Sequence, residues 1–199
     1  MDVKSPKTDG NDYKTVASLH CDYINQGFLA TLGVPFLTLL YEAIDGDSKS
    51  VLLLERVDKN VVGFVTGTSG LGRIYLRLLL KPFRLMYSLR SCLFSPSAIY
   101  KIVEVLLLNT GRGASSSLAK QELLSIVVNP AHQGEGHAEK LFLALCSHFK
   151  EKGADSFKIV VGSDLDRAHL FYTKMGAIPV GEIQVHKGAD SLVYVKHLG

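Results

Sequence analysis

Val128-Asn-Pro-Ala-His-Gln-Gly-Glu-Gly-His-Ala138 joins an apolar stretch to an amphipathic one, and its reading decides the fold. The run before it, Leu123-Leu-Ser-Ile-Val-Val128, is apolar and rich in β-branched residues, so it reads as a buried strand. Pro130 ends that strand, because proline has no N–H to give to a ladder. Gly134 and Gly136 allow close backbone approach, and Ala138-Glu-Lys-Leu-Phe-Leu-Ala-Leu145 begins a helix. A helix start carries unpaired N–H groups and the positive end of a dipole. The pattern predicts a cradle for a diphosphate.

Two familiar phosphate loops fail on residue identity. The dinucleotide fingerprint needs glycine or alanine where Glu139 stands, and the P-loop needs a Gly-Lys-Ser/Thr that is missing. Gln/Arg-x-x-Gly-x-Gly/Ala does fit, through Gln133, Gly136 and Ala138. With the preceding Val-x-Pro, the stretch resembles the acetyl-CoA loop of the GNAT superfamily of N-acetyltransferases. A second segment, Ala168-His-Leu-Phe-Tyr-Thr-Lys-Met-Gly-Ala177, is similar to that family's A-x-x-F-Y-x-K-x-G-F. It departs from the pattern twice, with Leu165 where the family has asparagine and Ala177 where it has phenylalanine.

The resemblance implies an α/β (α+β) architecture, a central mixed and mostly antiparallel sheet flanked by helices. It also implies acetyl transfer from acetyl-CoA to an amine. Cofactor contacts would come from Ile126, Val127 and Val128 on the strand and from Gln133, Gly134, Glu135, Gly136, His137 and Ala138 in the loop. For Glu135 and His137 these contacts are expected from the backbone. Tyr172 would lie beside the thioester sulfur and protonate the leaving thiolate.

Composition agrees with this reading. At 199 residues the chain suits one α/β domain spanning 1–199. Cys21, Cys92 and Cys146 are widely spaced, so neither a disulfide framework nor a metal site is expected, and the cytoplasm is the expected location. The polar amino terminus does not read as a signal peptide, and no stretch reaches the ~18 apolar residues of a membrane span. A net charge of +3 speaks against nucleic acid as a partner, and association as a homodimer stays open.

Along the chain, Tyr13 to Leu19 reads as a first strand, followed by two short helices, His20 to Leu32 and Pro35 to Ile44, broken at Gly33-Val-Pro35. Ser50–Arg56 and Val61–Thr66 read as a hairpin across Asp58-Lys-Asn60. A helical insertion, about 69–115, separates the third and fourth strands in this count. It carries Arg73, Arg77, Lys81, Arg84 and Arg90, is broken at Pro82, and includes a helix over Ser97–Leu108. An inserted helical pair displaying solvated arginines, a lid recognising an anionic substrate, and a peripheral contact with anionic lipid are its three readings. After the cradle come a helix, a strand at 156–162, a helix at 165–175 that Gly176 stops, and two strands near 178–185 and 191–197.

Acetyl transfer to an amine needs alignment, a base, a donor to the carbonyl and an acid for the thiolate. A backbone amide near Val127 or Val128 is the expected carbonyl donor. Glu122, on the cradle strand, is the expected base, with a solvated glutamate or a partner for Lys120 as the alternative. His132 and His137 read as solvated loop residues, and His169 as either a supporting partner or simply exposed. The expected acceptor is the primary amine of a small molecule, an amino sugar or sugar nucleotide, met by Asn25, Gln26, Tyr41 and Glu42. A protein or peptide amine is the alternative, and a non-catalytic CoA-binding module is the reading from another class.

Overall fold

Asp9 starts the first helix. Its carboxylate accepts from the N–H groups of Asn11 and Asp12, and Asp12 returns a bond to the Asp9 N–H. A computed structural model describes residues 8–24, 28–90, 119–186 and 189–199, and this helix, α1, runs Gly10–Tyr23. The strand expected over Tyr13–Leu19 is therefore a helix. Val16, Ala17, Leu19 and His20 are buried at helical spacing, and the capping pair supplies the start signal that the strand reading overlooked. Two more helices follow, α2 (Phe28–Thr31) and α3 (Gly33–Asp45), with Pro35 inside the first turn of α3.

Strands β1 (Ser50–Val57) and β2 (Asn60–Thr68) form the expected hairpin. Asp58 and Lys59 both take positive φ, at 48° and 69°, as a tight two-residue turn requires. The insertion then begins with α4 (Gly72–Leu79) and α5 (Pro82–Ser88), broken at Pro82 as expected. The helix expected over Ser97–Leu108 lies outside the described residues. Because the first segment is helical, the insertion follows the second observed strand, between the hairpin and the cradle strand.

The remaining elements are β3 (Gln121–Val128), a short 3-10 turn (Pro130–His132), α6 (His137–Glu151), β4 (Ser156–Gly162), α7 (Asp166–Lys174), β5 (Ile178–His186) and β6 (Ala189–His197). One sheet of order β1-β2-β3-β4-β6-β5 contains the six strands of the described residues, antiparallel throughout except where β3 meets β4. That pair is parallel because α6 carries the chain back across the sheet between them. The mixed, mostly antiparallel sheet with flanking helices and a helical insertion is the expected architecture.

Each face of the sheet has its own core. Val16, Phe36, Leu37, Phe64 and Ile74 centre the cluster under α1, α3 and α4. Phe142, Leu145, Phe149, Phe157 and Tyr172 centre the one under α6 and α7. Gly67 on β2 admits α6 closely, since a Cβ there would stand 2.6 Å from the Phe149 ring. No helix among the described residues is long and apolar enough to cross a membrane.

The insertion's basic residues have partners. Arg73 and Arg77 reach Asp47, at 2.9 and 3.8 Å, while Lys81 and Arg84 reach Glu42 at 2.9 and 2.7 Å. Arg90 lies over the Tyr87 ring. Glu42, expected among the polar groups for the acceptor, is thus engaged by α5 and its lead-in.

Candidate active site

The ladder between β3 and β4 covers only Gln121 to Leu123, paired with Phe157 to Ile159. Beyond Leu123 the two strands part. On its other side β3 stays paired with β2, but the register slips there: Ser125 faces Thr66 and Leu123 faces Gly67, leaving Leu124 as an extra residue. This bulge sets the direction of everything after it. Leu124 and Ser125 both face the α1/α3 side, and alternation then puts Ile126 and Val128 on the α6 side and Val127 back with the first cluster.

The main chain follows the same parity. The Asn129 N–H donates to the Val62 carbonyl at 2.8 Å, so Asn129, Val127 and Ser125 direct their backbone groups at β2. Ile126 and Val128 therefore direct theirs into the gap between β3 and β4. Val127, expected as a cofactor contact and one of two candidates for the carbonyl donor, instead pairs with Phe64 and is buried under α1 and α3.

The cradle loop leads from this gap to α6. Gly134 and Gly136 have φ of 85° and 83°, in the left-handed region where any side chain would be strained. Gly136 caps α6 without a side chain, so the cap offers no competing acceptor to the first N–H groups. No hydrogen bond among the described residues uses the N–H of Gly134, Glu135, Gly136, His137 or Ala138. Gln133 folds back, its amide donating to the Val128 carbonyl at 3.4 Å. Unpartnered amides at a helix start fit a diphosphate, and the open edge of β3 fits the extended amide-bearing arm of coenzyme A.

A charged network stiffens the helix start, and its central member, Glu55 on β1, escaped the sequence reading. This carboxylate is buried and meets Lys140 at 2.6 Å and His137 Nδ1 at 3.1 Å. His137 Nε2 lies 3.1 Å from Glu135, which also approaches His132 at 3.5 Å. The two histidines, expected as separate solvated residues, are thus brought together by the loop, with rings 6.1 Å apart. His132, Glu135 and His137 hold atoms of metal-ligand type within 4.8 Å of one another. His137 lies between two carboxylates, Glu55 and Glu135, and Glu135 is exposed. The local signal for Glu55 is an acid directly after the apolar run Val51–Leu54 of β1.

Tyr172 is buried on α7, its ring 6.1 Å from Phe142 and 6.2 Å from Tyr194. Burial pushes its phenol above the ordinary tyrosine range, so the hydroxyl keeps its proton. His169, one turn earlier, is not exposed. Its Nε2 lies 3.0 Å from the Gly162 carbonyl, so that nitrogen carries the proton, and Nδ1 accepts from the Tyr194 hydroxyl at 2.9 Å. It ties α7 to β4 and β6 rather than touching Tyr172. Glu122 lies before the bulge, 3.3 Å from Lys158 on β4, and is close enough to Tyr75 to raise that phenol further after burial has done so. Its partner is Lys158 and not Lys120.

Under α1, α3 and α4 lies a cavity of about 140 Å³, walled on the sheet side by Thr66, Leu124 and Ser125. His20 and Tyr41 line it, joined at 2.6 Å between Nδ1 and the hydroxyl. Asn25 and Gln26, expected to serve the acceptor, lie outside the described residues. Desolvation lowers the His20 pKa from 6.5 to about 4, so the folded ring is neutral near pH 7. The folded value lies below the unfolded one, so this histidine favours the fold above pH 6.5 and that contribution is lost as pH falls toward 4. About 3 kcal/mol should disappear across that window. Urea midpoints at both ends check it, and His20→Phe should remove that part of the acid sensitivity; an equal loss in both proteins would refute it.

Comparison with known proteins agrees with the geometry. The family model described as Acetyltransferase (GNAT) family matches residues 90–177. Among solved structures, an N-acetyltransferase from Staphylococcus aureus Mu50 is similar at 14% identity and TM-score 0.62, covering 96% of each chain. The ribosomal-protein-S18-alanine N-acetyltransferase from Escherichia coli is similar at 9% identity and TM-score 0.58, over 98% of this chain and 92% of that one. An aminoglycoside 6'-N-acetyltransferase complexed with coenzyme A gives 11% identity and TM-score 0.58, over 100% and 95%. At such identities the likeness is one of fold. A comparison with curated protein sequences gave no significant match.

Proposed function

We propose, on the premise that the chain belongs to the GNAT superfamily, that it moves an acetyl group from acetyl-CoA to the primary amine of a small molecule. The observation that carries this reading is the parting of β3 from β4 beyond Leu123, beside a loop of unpartnered amides. Acetyl-CoA supplies an already activated thioester. The N–H groups of Gly134 to Ala138 would hold its diphosphate, and the backbone of Ile126 and Val128 would hold its amide arm. Of the two, the Val128 N–H is the donor the sequence pointed to for the thioester carbonyl. Tyr172, kept protonated by burial, is the acid for the departing thiolate.

The similar structures include enzymes named for a protein alanine and for an aminoglycoside, so the fold alone does not select the acceptor. The cavity next to β3, about 140 Å³, has the size of a small molecule's side group, which favours a small molecule over a protein chain. Its mostly apolar walls also favour a less hydroxylated amine than an amino sugar. Thiol release from acetyl-CoA, measured over amino sugars, aromatic amines, amino acids and peptides beside a calorimetric CoA titration, tests the proposal. Saturable binding without turnover on any amine would leave a CoA-binding module instead.

Glu122 is the general base in this reading. Lys158 holds its carboxylate at the closed end of the β3–β4 pair, so a water must carry the proton from the amine. Glu122→Gln should flatten the acidic limb of the kcat/KM profile and lower its plateau by about 10²-fold or more. A profile of unchanged shape would reject Glu122 as the base.

A further inference from the structure

His20 has one ring nitrogen that the fold leaves unused. The residue is 6% exposed, and Nε2 is a buried polar atom with no hydrogen-bond partner among the described residues. Its other nitrogen lies 2.6 Å from the Tyr41 hydroxyl, which stands 3.5 Å from Ser125 Oγ, itself 2.7 Å from Thr66 Oγ1. A neutral phenol donates better than it accepts, so the short contact is Tyr41 O–H to Nδ1, and the imidazole proton is on Nε2. A buried N–H without an acceptor is costly and uncommon in native proteins.

The space beside it has a definite size. Phe28, Leu32, Phe36, Leu40, Ile74 and Leu124 supply most of the wall of the 140 Å³ cavity. A closed apolar cavity of about 150 Å³ holds one benzene ring. The sheet-side wall includes the β3 bulge, Leu124 and Ser125, beside Thr66, and the next residue, Ile126, directs its backbone at the gap. A group seated here is thus one residue along the strand from the site of transfer.

We propose that this cavity anchors the acceptor, taking an uncharged ring-sized apolar group with one oxygen that accepts a hydrogen bond from His20 Nε2. The proposal rests on the acetyl-transfer reading and narrows it: the acceptors are primary amines with an apolar body and few hydroxyls. Tyr41, Ser125 and Thr66 are positioning residues, which fix the tautomer and orientation of His20.

Tyramine, phenethylamine and glucosamine, each with saturating acetyl-CoA, test this with wild type, His20→Phe and Leu32→Trp. Calorimetric titration of tyramine into the protein–CoA complex accompanies the kinetics. In wild type, kcat/KM should fall in the order tyramine, phenethylamine, glucosamine, by about tenfold or more between the ends. His20→Phe should bring tyramine down to the level of phenethylamine, and Leu32→Trp, which fills the cavity, should weaken both aromatic amines. CoA titration verifies that each variant folds, and Leu29→Trp, on a partly exposed part of the wall, replaces Leu32→Trp if that chain does not. Equal or better use of glucosamine, or aromatic turnover unaffected by filling, would overturn the proposal. So would a preference for butyryl-CoA over acetyl-CoA that disappears on filling, because the cavity would then take the acyl chain. Tyramine binding that depends on His20, without release of thiol, would support the anchor and reject the transfer reading. CoA binding with neither tyramine binding nor turnover would overturn both.

Discussion

Tyr172→Phe is expected to lower kcat by about 10²–10⁴-fold while changing CoA affinity little. The substitution removes one oxygen and keeps the ring. That ring packs against Phe142 and Tyr194 at 6.1 and 6.2 Å, contacts a phenylalanine preserves. The hydroxyl makes no hydrogen bond with the described residues, so its removal strands no buried partner. Burial raises the phenol above its ordinary value, which keeps it protonated, as an acid for a thiolate must be. A single-turnover measurement isolates the chemical step from product release. A rate within a few-fold of wild type would reduce Tyr172 to a packing residue.

The largest effect on stability is expected from Phe142→Ala, about 3–5 kcal/mol. Phe142 is fully buried on α6 and touches Phe157, Phe171 and Tyr172 at centroid distances of 5.7, 5.8 and 6.1 Å. It joins the helix that starts at the cradle to the strand that forms the far side of the gap and to the helix bearing the phenol. Truncation leaves a void that three aromatic rings cannot close without moving. Denaturant unfolding should show a lower midpoint at an unchanged slope. The surviving folded fraction should bind CoA but turn over more slowly, since Tyr172 loses one wall. A midpoint within about 1 kcal/mol of wild type would mean the α6 face is not packed as described.

Glu122 and Tyr172, taken together, show how differently the surroundings of two residues are legible in the sequence. The tyrosine belongs to a compact motif on one helix, and its burial follows from the apolar spacing around it. The glutamate's partner was misjudged because Lys158 is remote in the chain and arrives only through the parallel pairing of β3 with β4. The opening helix differs from the strand expected there for the opposite reason: period alone is ambiguous over Tyr13–Leu19, and the local Asp9–Asp12 cap settles it.

What the chain determines locally was readable without a structure. Glycines at positive φ, a proline that closes a strand and a helix start without a side-chain cap are properties of a few adjacent residues, and together they specify the cradle. Register is another matter. A single extra residue at Leu124 reverses which side chains face each core and which amides face the gap, and it arises from how β3 settles against β2. The buried Glu55 network and the line from His20 through Tyr41 to Ser125 likewise join residues far apart in the chain. Polar groups in a core find partners only when packing brings them together, so those contacts belong to the tertiary structure alone.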